Sequence, residues 1–102
     1  MGYRIEYSVH SRAMVVRVSG CTHSHAKTIA REIQRAAKRA AVQRLALDVR
    51  ELIDRFGNLG TLVLGTCRKR RVAVIHEDEG NVSHPQLRYF VDPNDALTWL
   101  AD

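Results

Sequence analysis

Cys21-Thr22-His23-Ser24-His25 places one thiol and two imidazoles in a short run, and thiolate with imidazole is a donor set that suits zinc. Two more groups could join them from elsewhere in the chain, the Asp54 carboxylate and the His76 imidazole. Cys21, a histidine and Asp54 are also the residue types of a thiol nucleophile with its base and orienting carboxylate. The patterns tell against both chemistries. The spacing is not that of a zinc finger, and the chain has neither a Gly-x-Ser-x-Gly elbow nor a glycine-rich nucleotide loop. Polar residues are ordinary at a helix start, where Thr22 or Ser24 can cap free amides. The sequence therefore predicts no enzyme, catalytic residue, cofactor or bound metal. A metal or thiol site at Cys21, His23, His25 and His76 stands as the lesser alternative.

The segment Leu45 to Gly60, LALDVRELIDRFGNLG, indicates where a working surface would lie. An apolar run ends in Asp48, a short polar crossing follows, and Asn58 opens a helix bracketed by Gly57 and Gly60. A buried parallel strand hands over to a helix in this way, and open α/β sheets bind their partners at such handovers. Asp54, Phe56, Gly57, Asn58 and the hydroxyl of Thr61 all fall at this crossing.

The elements that must hold these residues follow from periodicity. Residues 4–9 alternate, with Ile5, Tyr7 and Val9 on one face, as in an edge strand with one wet side. Residues 13–19 are richer in β-branched side chains and suit a second, more buried strand. Ala26, Ile29, Ala30, Ile33, Ala37, Ala40 and Ala41 form a helical stripe, predicting a helix from about Ser24 to Gln43. LALDV (45–49) and VAVI (72–75) are continuous apolar runs, expected of parallel strands covered on both faces. Between them a helix is predicted from Asn58 to about Arg68, with Gly60 and Gly65 inside it permitting close approach to a strand. Residues 76–87 form a loop and 88–91 a last strand. Asp92-Pro93-Asn94-Asp95 is a helix start, with an N-cap, a proline in the first helical position and a carboxylate in the first turn. Ala96, Trp99 and Leu100 form the buried side of that helix.

The chain of 102 residues suits one domain, 1–102. Hydrophobic residues make up 45% and charged residues 26%, an ordinary globular composition. No apolar run reaches the length of a membrane span and no secretory signal precedes the two cysteines, so a cytoplasmic protein with reduced thiols is expected. The net charge of +5 is uneven. Residues 23–44 carry six cations against Glu32 alone, and RKRR occupies 68–71. Only six aromatics occur, mostly at core positions, so nucleic acid is not expected as a partner. The cations of the first helix are expected to form a solvated face, and RKRR to sit at the negative end of a helix dipole.

Assembled, the order is an antiparallel edge pair followed by β-α-β crossovers. The result is an α/β domain with a mixed sheet of four to five strands and helices packed on it. This layout, the strand LALDV followed by Ile-Asp and a Gly-x-x-Gly helix start, and the tail RYFVDPNDALTWL resemble the STAS domain. The tail in particular is similar to that of small bacterial SpoIIAA-like proteins, and the fold is shared by anti-sigma factor antagonists and the cytoplasmic tails of sulfate transporters. The resemblance implies a regulatory domain that binds a protein partner. In that family an Asp-Ser-Ser-Gly turn presents a serine for phosphorylation. Here Asp54 and Gly57 fit the turn, but Arg55 and Phe56 stand where the serines would be, leaving Thr61 as the nearest hydroxyl.

The expected surface is thus Cys21, His23, His25, Asp54, Phe56, Gly57, Asn58, Thr61 and His76. The exposed edge strand invites a second copy, so a homodimer is expected. The alternative is a small apolar or lipid-like ligand, held beside the second helix and the 77–87 loop and favoured by Phe56 if exposed.

Overall fold

The computed structural model describes residues 2–10, 12–21, 25–53, 59–65, 69–76 and 84–101. Eight elements follow one another: β1 (Tyr3–His10), β2 (Ala13–Gly20), α1 (Ala26–Arg39), β3 (Arg44–Asp48), α2 (Leu59–Leu64), β4 (Arg71–Ile75), β5 (Leu87–Phe90) and α3 (Pro93–Ala101). The five strands form one sheet whose spatial order is the chain order. β1 and β2 are antiparallel, and β2, β3, β4 and β5 run parallel. The two apolar runs lie side by side as predicted, with Leu45 opposite Val72 and Leu47 opposite Val74.

Alternation along the strands divides the core into two layers. Val16, Val18, Leu45, Leu47, Val72 and Val74 meet Ile29 and Ile33 of α1 and Leu59 and Val63 of α2. On the other face, Ala13, Ala46, Ala73 and Ile75 meet Ala96 and Leu100 of α3. Ala46 lies opposite Ala73, and this small-residue floor lets α3 lie close to the sheet. Burying each large aliphatic side chain contributes about 1.5–3 kcal/mol, so the α1/α2 layer carries most of the hydrophobic stabilisation.

Both internal helices are shorter than their periodicity predicts. α1 ends at Arg39, and Ala41 takes the left-handed conformation at φ 55°. The Val42 amide donates to the Ala37 carbonyl at 2.9 Å, and the Ala41 amide to Lys38 at 3.1 Å. This is the paired closing bond of a Schellman motif, with alanine in the position usually held by glycine. α2 stops at Leu64 because Gly65, at φ 59°, turns the chain. Its Leu62 and Val63 carbonyls accept from Gln34 Nε2 at 2.8 and 3.2 Å, and Val63 also from Arg70 Nη1 at 2.9 Å.

Gly60 is the contact point of α2 with the sheet, since a β-carbon there would stand 2.9 Å from Val74 Cγ2 and 3.2 Å from Leu87 Cδ1. α3 starts as its sequence dictates, with the Asn94 amide donating to Asp92 Oδ1 at 2.8 Å. Its far end is gripped by the strand starts. Arg44 donates to the Leu100 carbonyl, and Arg71 to that of Trp99 at 3.2 Å while its guanidinium lies 4.6 Å from the Trp99 ring centre. Arg70 and Arg71 of the RKRR run therefore serve the carbonyl ends of two different helices.

Candidate functional site

The parallel strands bring their carboxyl ends to one edge, and the connections leaving that edge make the candidate surface. β3 ends in Asp48, which is buried. A carboxylate with so little water must be paired to stay ionised, and the chain supplies the partner two residues on. Arg50 clasps Asp48 through Nε to Oδ1 at 3.0 Å and Nη2 to Oδ2 at 2.8 Å, while its backbone amide donates to Oδ1 at 3.2 Å. Arg17, opposite Asp48 on β2, places its Nε 3.8 Å from Oδ2. Burial pushes the carboxyl pKa up, but the Arg50 hydrogen bonds and the two positive charges outweigh it, and Asp48 titrates below the usual carboxylate range. The same contact raises Arg50 above its ordinary value. Both guanidinium groups stay half exposed.

Beyond Asp48 the chain turns through Val49–Leu52 and hooks over the end of β2. Leu52 forms a parallel bridge with Gly20, the Gly20 amide donates to the Glu51 carbonyl at 3.4 Å, and the Ile53 amide to the Gly20 carbonyl at 2.8 Å. Ile53 is thereby held by its backbone while its side chain is 76% exposed. Val91, which leaves β5 at the same edge, is 47% exposed. Two of the four exposed large hydrophobics among the described residues thus occur at the carboxyl edge, and Tyr7 and Val9 of β1 are the others.

Of the sequence-predicted surface, Cys21, His25, Thr61 and His76 lie within the described residues. His23, Asp54, Phe56, Gly57 and Asn58 lie outside them. Cys21 follows β2, its amide donating to the Gly2 carbonyl at 3.2 Å, and its thiol is free. His76 follows β4, with its amide on the Phe90 carbonyl at 2.9 Å. His25 precedes α1 and tilts its ring against Tyr3, centroid to centroid 5.7 Å. Thr61 is exposed on the first turn of α2. These positions share one pole of the molecule, but among the described residues no three His, Cys, Asp or Glu side chains gather as a metal set. The residues that sequence reasoning passed over are Asp48, Arg50, Arg17 and Ile53. Their signal was present: a carboxylate closing an apolar strand demands a cation, and Arg50 is the first one after it.

Whole-chain likeness now decides the fold. An anti-sigma factor antagonist from Mycobacterium paratuberculosis superposes with a TM-score of 0.70 at 16% identity, over 99% of this chain and 96% of that one. The fold is SpoIIAA-like. The anti-sigma factor antagonist SpoIIAA in its unphosphorylated form matches at a TM-score of 0.59 and 20% identity, over 96% and 98% of the two chains. An uncharacterized DUF3478 family protein from Shewanella loihica, described as having the same SpoIIAA-like fold, matches at 0.57 and 22%, over 97% and 94%. No family model and no curated protein matches the chain. The SpoIIAA-like sheet, with its antiparallel first pair and parallel remainder, is thus the architecture that the STAS resemblance implied. Among the described residues no helix is long and apolar enough to cross a membrane.

Proposed function

We propose that this SpoIIAA-like chain is a non-enzymatic, cytoplasmic regulatory domain that binds a protein partner at the carboxyl edge of its sheet, the whole chain acting as one domain. The observation that carries the proposal is Ile53. It is a large apolar side chain, 76% exposed, whose backbone is hydrogen-bonded to the end of β2, on the sheet edge that also carries the half-exposed Arg17 and Arg50. An apolar side chain held out by its backbone supplies the apolar centre of an interface, and arginine on the same edge is a residue that interfaces enrich. Two of the similar structures are anti-sigma factor antagonists, which supports a protein as the occupant. Cys21, His23, His25, Asp54, Phe56, Gly57, Asn58, Thr61 and His76 are proposed to complete the surface. With Arg55 and Phe56 in the turn that carries serines in the antagonists, a phosphorylated turn is not part of the proposal.

The test is affinity capture from extract of the native cell, with the intact chain and its Ile53→Asp variant as baits. A protein retained by the first and lost from the second is expected. Capture unaffected by Ile53→Asp, with both baits folded by circular dichroism, would refute the assignment of the edge.

The β1 edge supports a homodimer. Tyr7 and Val9 are exposed there, and Tyr3, Ile5, Tyr7 and Ala36 border a groove of about 470 Å3 against α1. Antiparallel self-pairing centred on Tyr7 would place Ile5 opposite the second copy's Val9. Sedimentation equilibrium of the chain and of Val9→Lys should show a dimer and a monomer respectively.

A small apolar ligand remains the second reading, at a different place from the one the sequence indicated. Ala13, Leu97, Leu100 and Ala101 form the apolar part of a groove of about 450 Å3 at the end of α3, with His10, Arg12 and Arg44 as its polar part. Fluorescence of an apolar dye quenched by Leu97→Glu would favour that reading.

A further inference from the structure

The pole opposite the carboxyl edge holds a second feature that the partner-binding reading does not use. A groove of about 500 Å3 runs between α1, the α1–β3 turn, Gly65 at the end of α2 and the start of β4. Arg31, Arg35, Lys38 and Arg70 border it, and among the described residues no carboxylate does. The three α1 cations follow one helix face at i, i+4 and i+7, a spacing at which like charges repel. None of the three pairs with a carboxylate among the described residues.

The helix dipole does not explain the cluster. Lys38 and Arg39 occupy the last turn of α1 and suffice to oppose its carbonyl end. Arg35 and Arg31 stand about one and two turns earlier, and Arg70 comes from another part of the chain. Part of the wall is also fixed in advance. Gln34 is anchored on the Leu62 and Val63 carbonyls, and Arg70 Nη1 on Val63. Arg70 Nε is buried and has no acceptor among the described residues, so this guanidinium is one bond short there.

We propose that this groove binds a compact oligophosphate, two or three linked phosphoryl groups. Guanidinium groups present paired N–H donors that match phosphate oxygens. The row from Arg31 to Lys38 covers about 10 Å at the helical rise of ~1.5 Å per residue, the length of a short phosphate chain. Among the described residues no aromatic side chain borders the groove, so they offer no platform on which the bases of a single strand would stack. That absence favours linked phosphates over nucleic acid.

The test is calorimetric titration of the full chain with tripolyphosphate at low salt, alongside a twelve-nucleotide single-stranded RNA and oligoglutamate. Arg31→Gln and Arg35→Gln alter exposed side chains and serve as the site variants. Tripolyphosphate binding that weakens at least tenfold in Arg31→Gln/Arg35→Gln, and falls steeply with added salt, is expected. Phosphoinositide vesicles that compete with tripolyphosphate would identify a lipid headgroup as a source of the same chemistry, and failure to compete would leave a soluble oligophosphate; either result supports the site. No binding of tripolyphosphate, unchanged affinity in the double variant, or tighter binding of the RNA or the oligoglutamate would overturn the proposal.

Discussion

Gly60→Ala sets a favourable effect against a larger unfavourable one at a single methyl group. In an exposed helix interior, alanine is better than glycine by about 0.8–1 kcal/mol. Here the new β-carbon would stand 2.9 Å from Val74 Cγ2 and 3.2 Å from Leu87 Cδ1. Val74 is fully buried on a central strand and Leu87 is 2% exposed. A β-branched side chain has little rotamer freedom with which to retreat, so α2 must lift off the sheet. Overpacking of this kind costs about 1–3 kcal/mol, and lifting α2 also loosens Leu59 and Val63 in the same layer. The net effect should be destabilisation by about 1 to 2 kcal/mol, seen as a lower urea midpoint with an unchanged slope. For a domain of this size the melting temperature should fall by about 4–8 °C per kcal/mol. Val74→Ala removes the atom that clashes, so Gly60→Ala introduced into that background should cost less or stabilise, a coupling of about 1 kcal/mol or more. A midpoint for Gly60→Ala equal to or above that of the parent, or strict additivity with Val74→Ala, would refute the close-approach argument.

Ala41→Gly should stabilise the chain by about 1 kcal/mol, because a left-handed alanine carries a penalty that glycine escapes at φ 55°; urea denaturation measures it. Asp48→Asn should lower stability at neutral pH by about 1–3 kcal/mol, the worth of charge-assisted bonds, moderated because its arginine partners are half exposed and can rehydrate. The folded carboxyl titrates below its unfolded value, so its contribution is present above about pH 4 and fades as pH falls through the folded value. The parent and Asp48→Asn denaturation curves should therefore converge in acid. Gln34→Leu withdraws the donor from the Leu62 and Val63 carbonyls and should speed amide hydrogen exchange in α2 before that in the strands.

Much of the fold could be read in advance, because Leu45–Val49 and Val72–Ile75 could be buried on both faces only as central parallel strands, and Asp92-Pro93 could only start a helix. The ends of α1 and α2 could not. The alanine stripe continues through Ala40 and Ala41, and nothing in its period reveals that Ala41 turns left-handed. Gly65 reads from the sequence as an interior glycine permitting close approach to a strand, whereas its backbone closes the helix. The candidate edge was legible as a place, since parallel strands must gather their carboxyl ends. Its strongest described feature was not legible, because whether Ile53 is buried or held out depends on the hydrogen bond to Gly20, which joins residues far apart in the chain.

The match between spatial and chain order in the sheet has a consequence for synthesis. Each strand emerging from the ribosome finds its neighbour already made, so the sheet can lengthen sideways without waiting for distant sequence. Its second layer has no such schedule. Ala13, Ala46, Ala73 and Ile75 stay uncovered until α3, made after all five strands, is in place, and only then can Arg44 and Arg71 fasten it down. A nascent chain stalled before α3 would carry a finished sheet with one bare apolar side.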